Sequence, residues 1–156
     1  MNAAGHVLSP MIIFKNSFPG GHYTLGGPDQ ALYGKQKSGF MDSELFVKWF
    51  EKIFVPQSNA SPERSILLLL DGHASHCSPE LIDAARRNNV ILFALAPHTT
   101  HLCQPLDVSV FKSLKSEIGK IVKEAQMLRG NLWIAKKRVP AMIKTPFQRS
   151  MTMDNI

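Results

Sequence analysis

Ser65-Ile66-Leu67-Leu68-Leu69-Leu70-Asp71-Gly72 is the stretch on which the fold turns. Five apolar residues in a row sit between Arg64-Ser65 and an Asp-Gly turn dipeptide. A run this short and without alternation predicts a strand buried on both faces. Just downstream, Ser78-Pro79-Glu80 has the makings of a helix start: a capping hydroxyl, a proline in the first turn and an acid near the positive end of the dipole. That helix is expected to reach about Asn88, and residues 90–95 read as a second apolar strand stopped by Pro97. A long helix over residues 107–129 follows a loop closed by Pro105. Strand, helix, strand and helix in this order predict an α/β layer.

Upstream the pattern is less regular. Gly5-His6 between apolar stretches predicts a strand, a tight turn and a second strand across residues 3–14. Residues 15–39 are rich in Gly and Pro and read as loop with one short strand at most. Asp42 or Ser43 can cap a helix whose stripe is Phe46, Trp49, Phe50 and Ile53, ended by the polar loop from Pro56 to Pro62.

The chain of 156 residues is 44% hydrophobic and 19% charged, which is globular composition. No apolar run approaches the roughly 18 residues of a membrane span, so no membrane association is expected. The first ten residues lack both a basic segment and an unbroken apolar core, so no signal peptide is expected either. Only two cysteines, Cys77 and Cys103, argue against a disulfide framework and for a reducing compartment. The net charge is +6, and its excess lies at one end: residues 1–70 hold 6 basic and 5 acidic side chains, residues 71–156 hold 12 and 7. Between Phe111 and Arg149 there are 10 basic residues against two acids, Glu117 and Glu124. Such asymmetry favours a polyanion partner, although a solvated basic helix face has the same composition.

Two carboxylates stand out by position. Asp71 ends the most apolar strand, and the C-terminal ends of strands are where open α/β sheets hold ligands. It is equally a common turn residue. Asp107 precedes Phe111, Leu114, Ile118 and Val122 by four, seven, eleven and fifteen positions, which puts it on the inward stripe of the long helix. It can also simply begin that helix and complement its dipole. Two acids in one cleft repel, and a divalent ion on oxygen ligands, Mg2+ or Mn2+, relieves the repulsion. A rival set is softer: His73, His76, His98 and His101 in two i, i+3 pairs, each followed by Cys77 or Cys103, which suits a zinc-binding hydrolase module.

These residues also carry a family resemblance. Residues 67–76, Leu67-Leu68-Leu69-Leu70-Asp71-Gly72-His73-Ala74-Ser75-His76, resemble the second-aspartate motif of the pogo, Tigger and Jerky group of DDE transposases. Pro97-His98-Thr99-Thr100-His101-Leu102-Cys103-Gln104-Pro105-Leu106-Asp107-Val108-Ser109-Val110-Phe111 resembles that group's third-aspartate motif, and the spacing between the two acids is in keeping with it. Residues 3–14 are similar to the family's second and third strands, and Ser38-Gly39-Phe40-Met41 with Phe46 and Trp49-Phe50 to its first helix region.

The resemblance implies a ribonuclease H-like mixed sheet with flanking helices, and a metal-dependent DNA endonuclease and strand transferase in the nucleus. Asp71 and Asp107 are then catalytic ligands of Mg2+ or Mn2+, while His73 and His76 orient Asp71 or meet phosphate. Lys112, Lys115, Lys136, Lys137 and Arg138 are the expected nucleic-acid contacts. The family's first aspartate stands on a strand upstream of Asn2, whereas the first acid of this sequence is Asp29, in a glycine-rich loop. Residues 1–150 are therefore expected to be a partial domain with its first strand missing, inactive alone, followed by a frayed end at 151–156. A non-catalytic nuclear DNA-binding or interaction protein is the alternative. Self-association is left open by the sequence.

Overall fold

A computed structural model describes residues 2, 4–71, 78–95, 110–128 and 134–152. They are α/β and fall into two compact units.

One unit is built from Met11–Ser17 and Leu32–Gln104. Its first sheet is a parallel pair, β1 (Met11–Lys15) and β2 (Leu32–Gln36), in register from Met11 opposite Leu32 to Lys15 opposite Gln36. The expected hairpin over residues 3–14 is not formed. Asn2 Oδ1 accepts from the amides of Ala4 (3.1 Å) and His6 (2.8 Å), Gly5 has φ +79°, and Pro10 has no N–H to give a ladder. The turn chemistry therefore wins over the apolar pattern, and the strand begins only at Met11. Gly34 of β2 lets the layers close up: a Cβ there would lie 2.8 Å from Met11 Cε and 2.9 Å from Leu45 Cδ2, and those side-chain ends would have to shift.

That close approach seats α1 (Ser43–Trp49) on the strand pair. Asp42 caps α1, accepting from the Leu45 amide at 2.9 Å. The chain then widens into a π turn, Phe50–Phe54, in which the Val55 amide reaches back to the Phe50 carbonyl, and continues as α2 (Val55–Ser58). The helical path thus runs past Pro56, contrary to the sequence expectation. Pro56 comes just after the π turn, and its missing N–H takes one backbone hydrogen bond from the path. Asn59, with φ +56°, ends it. Phe46, Phe50, Ile53 and Phe54 are buried, and the Phe50 and Phe54 rings stack at 5.2 Å.

The second sheet of this unit is also a parallel pair, β3 (Ile66–Leu70) and β4 (Val90–Ala94), joined through α3 (Pro79–Arg87). Ser78 caps α3, accepting from the Leu81 amide at 3.2 Å, and Leu81, Ala84 and Ala85 are buried. Asn89, in the left-handed region at φ +53°, joins three segments. Its Nδ2 donates to the Ser61 (2.7 Å) and Pro62 carbonyls, and its Oδ1 accepts from Ser65 Oγ at 2.9 Å.

β3 does not have two buried faces. Leu67 and Leu69 are 56% and 54% exposed, as are their partners Ile91 and Phe93 at 54% and 53%. Within this unit helix α3 packs against β4, and the unit's other described elements leave those four side chains exposed. An unbroken apolar run therefore misled, because it is compatible with one covered face as well as two.

The other unit comprises Met1–Pro10, Phe18–Ala31 and Pro105–Ile156. Helices α4 (Phe111–Leu128) and α5 (Val139–Ser150) pack together, with a single 3-10 turn, Lys136–Arg138, leading into α5. The stripe Phe111, Leu114, Ile118 and Val122 is half-buried, and Val110 just before it is fully buried. Gly26, at φ +73°, lets its loop approach α5: a Cβ there would sit 3.3 Å from Ala141 Cβ.

Candidate functional site

Asp71 follows β3 directly and is half-buried. Its neighbour Leu70 is buried, and the Leu70 carbonyl accepts from the Leu95 amide at 2.8 Å. The backbone is therefore fixed up to the residue before the carboxylate. Asp71 thus stands at the C-terminal end of a parallel strand pair, in the position where α/β sheets present ligand groups. A carboxylate held there is a hard oxygen donor of the kind Mg2+ and Mn2+ take.

Asp107, His73 and His76 lie outside the described residues, as do His98, His101, Cys77 and Cys103 of the zinc alternative. Among the described residues no three His, Cys, Asp or Glu side chains gather as a metal cluster.

The basic candidates fall on the other unit. Lys112 and Lys115 are exposed on α4, Lys115 beside the apolar stripe at four residues from Phe111 and three from Ile118. Lys136, Lys137 and Arg138 are exposed in the turn that starts α5. Within this unit two acids are drawn into ion pairs. Glu117 accepts from Lys120 Nζ at 2.7 Å and lies 3.9 Å from Arg149, and Asp29 accepts from Lys144 Nζ at 2.7 Å. The Lys120 hydrogen bond and charge hold the Glu117 carboxyl below its ordinary value, against the opposing effect of desolvation.

One feature of this unit had no signal in the sequence. A shallow cleft of about 280 Å³ is lined by Leu8, Pro10, Pro28, Asp29, Phe147 and Met151, among others. Its walls come from three separated segments, none of which has a motif of its own. In the strand-bearing unit, Lys15, Lys35 and Lys37 are exposed near the C-terminal ends of β1 and β2. They were hidden by the nearly balanced charge of the first 70 residues.

The family described as DDE superfamily endonuclease matches residues 1–155. The chain is 30% identical over its whole length to a protein of Cochliobolus lunatus named as the MFS-type transporter clz9. Over 78% of its length it is 24% identical to a human protein named as a pogo transposable element with ZNF domain. It spans only 17% of the first of these relatives and 8% of the second. No solved structure matches. Among the described residues no helix is long and apolar enough to cross a membrane.

Proposed function

The chain belongs to the DDE superfamily endonuclease family, of transposase origin and pogo type, and from that premise we propose that it is the nucleic-acid-binding part of a metal-dependent DNA endonuclease. The observation that carries this reading is Asp71, held at the end of β3 by the Leu95–Leu70 hydrogen bond, in a chain matched by the family along nearly its full length. In this reading Asp71 and Asp107 hold Mg2+ or Mn2+, which when bound polarises a phosphodiester and activates the attacking oxygen. His73 and His76 orient the Asp71 carboxylate or donate to phosphate. Lys112, Lys115, Lys136, Lys137 and Arg138 draw in the DNA backbone, and their electrostatic attraction is independent of sequence. The two parallel pairs are taken as parts of a ribonuclease H-like sheet, and the setting as nuclear.

Residues 1–156 contain no acid before Asp29, so the segment by itself lacks the family's first ligand on a preceding strand. Two carboxylates hold a divalent ion more weakly than three. The segment is therefore proposed to bind DNA without cutting it, with cleavage requiring an acid from outside these residues.

The test is incubation with supercoiled plasmid in Mg2+ or Mn2+, with Asp107→Ala run alongside. Retardation of DNA without nicking by either protein is the expected result. Metal-dependent nicking that disappears in Asp107→Ala would show the segment to be a complete enzyme. Absence of both retardation and nicking would remove the nucleic-acid reading.

A further inference from the structure

We propose that the loop at the C-terminal ends of β1 and β2 contacts an unpaired nucleic-acid strand, Phe40 stacking on a base and Lys15 and Lys37 attracting the adjoining phosphates. This rests on the nucleic-acid reading above but uses other residues than Asp71, Asp107 and the basic residues of α4 and α5.

The starting observation is that Phe40 is 76% exposed although the loop that bears it is tightly tied. The Gln36 carbonyl accepts from the Asn16 amide at 2.8 Å and from the Gly39 amide at 3.1 Å. Gln36 Oε1 accepts from both the amide and the hydroxyl of Ser38, and Ser38 Oγ accepts from the Phe40 amide at 3.2 Å. Gly39, at φ +80°, lies so close to β1 that a Cβ would stand 3.1 Å from Lys15 Cβ. The residue before Phe40 is thus pressed against Lys15. A loop fixed in this way presents its ring without an ordering cost on binding.

The surroundings point to nucleic acid. Lys15 and Lys37 are exposed at this edge, whereas Lys35 is paired with Phe14 and so projects to the other face of the strand pair. The Asp42 carboxylate is turned to its helix, accepting from Leu45, which leaves Glu44 in the first turn of α1 as the exposed acid close by in sequence. A single ring among lysines and a serine is a poor core for a protein interface, which needs a contiguous apolar patch. It is the combination that single-strand binders use: an aromatic platform for a base face and cations for the backbone.

The test is fluorescence anisotropy of the 156-residue chain with a labelled oligothymidylate and a labelled duplex. Phe40→Ala is expected to weaken oligothymidylate binding roughly tenfold and duplex binding less than about twofold, while Phe40→Trp keeps wild-type affinity for both. Equal loss on both ligands, or no loss on either, overturns the proposal. So does an altered sedimentation coefficient in Phe40→Ala with unchanged DNA affinity, which would mark a protein contact instead. If the wild-type chain binds duplex but not oligothymidylate, this contact fails and the broader reading stands; binding of neither removes both.

Discussion

The Leu95 amide donates to the Leu70 carbonyl at 2.8 Å, one residue past the last strand pair and one residue before Asp71. The ladder of β3 and β4 therefore reaches as far as it can without tying up the carboxylate's own residue. Asp71 thus follows directly on a residue whose carbonyl is fixed in the sheet.

If Asp71 is a metal ligand, Asp71→Asn should remove charge and donor strength with little change in size. Titration of Mn2+, followed by its paramagnetic signal, is expected to show weak binding by the chain. Asp71→Asn should lower it by at least the roughly 10–100-fold that changes behind a ligand cause. Unchanged Mn2+ affinity, with an unchanged circular dichroism spectrum, would take Asp71 out of the site.

The two faces of β3 should respond differently to truncation. Leu70 is 7% exposed and Leu69 54%. Leu70→Ala is expected to cost about 2–4 kcal/mol in urea unfolding, and Leu69→Ala below about 1 kcal/mol. Equal losses would mean that the outer face is covered in solution.

Much of this part of the chain was legible in the sequence. Ser78-Pro79-Glu80 began a helix as expected, and the residues before and after it formed strands, because caps and breakers act locally. What could not be read was which strand faces meet a partner layer. The segment before Met11 failed for a related reason, since the side chain of Asn2 and the proline at position 10 decide it rather than hydropathy. Of the candidate site, only Asp71 and the basic residues fall on described structure. The cleft between Leu8, Pro28 and Phe147 was illegible because its walls are distant in sequence.

DNA affinity should fall steeply with salt. Replacing Lys136, Lys137 and Arg138 together by alanine is expected to reduce the log–log slope by up to about 2–3, close to one per lost phosphate contact. An unchanged slope would mean that this turn stays in solvent when DNA binds.

Glu117 gives a pH dependence with a definite sign. Its carboxyl titrates lower in the folded chain than its ordinary value of 4.5, mainly through Lys120. The stabilisation is therefore complete above that ordinary value and is lost as pH falls through the lower folded one. Glu117→Gln should be slightly less stable than wild type at neutral pH, and the two should converge in acid. A difference that persists at the acid end would assign the effect to packing.

Asn89 sits at the opposite end of β3 from Asp71, yet it governs where that acid stands. Its side chain fastens Ser65 and the Ser61-Pro62 backbone to the start of β4, so the counting of residues along the strand begins from a fixed origin. From that origin the alternation of faces runs forward: Leu70 turns inward and Leu69 outward. A slip by a single residue would exchange those two and carry Asp71 to the other side of the sheet. The polar knot beneath the strand thus acts as a phase marker for the chemistry at its tip.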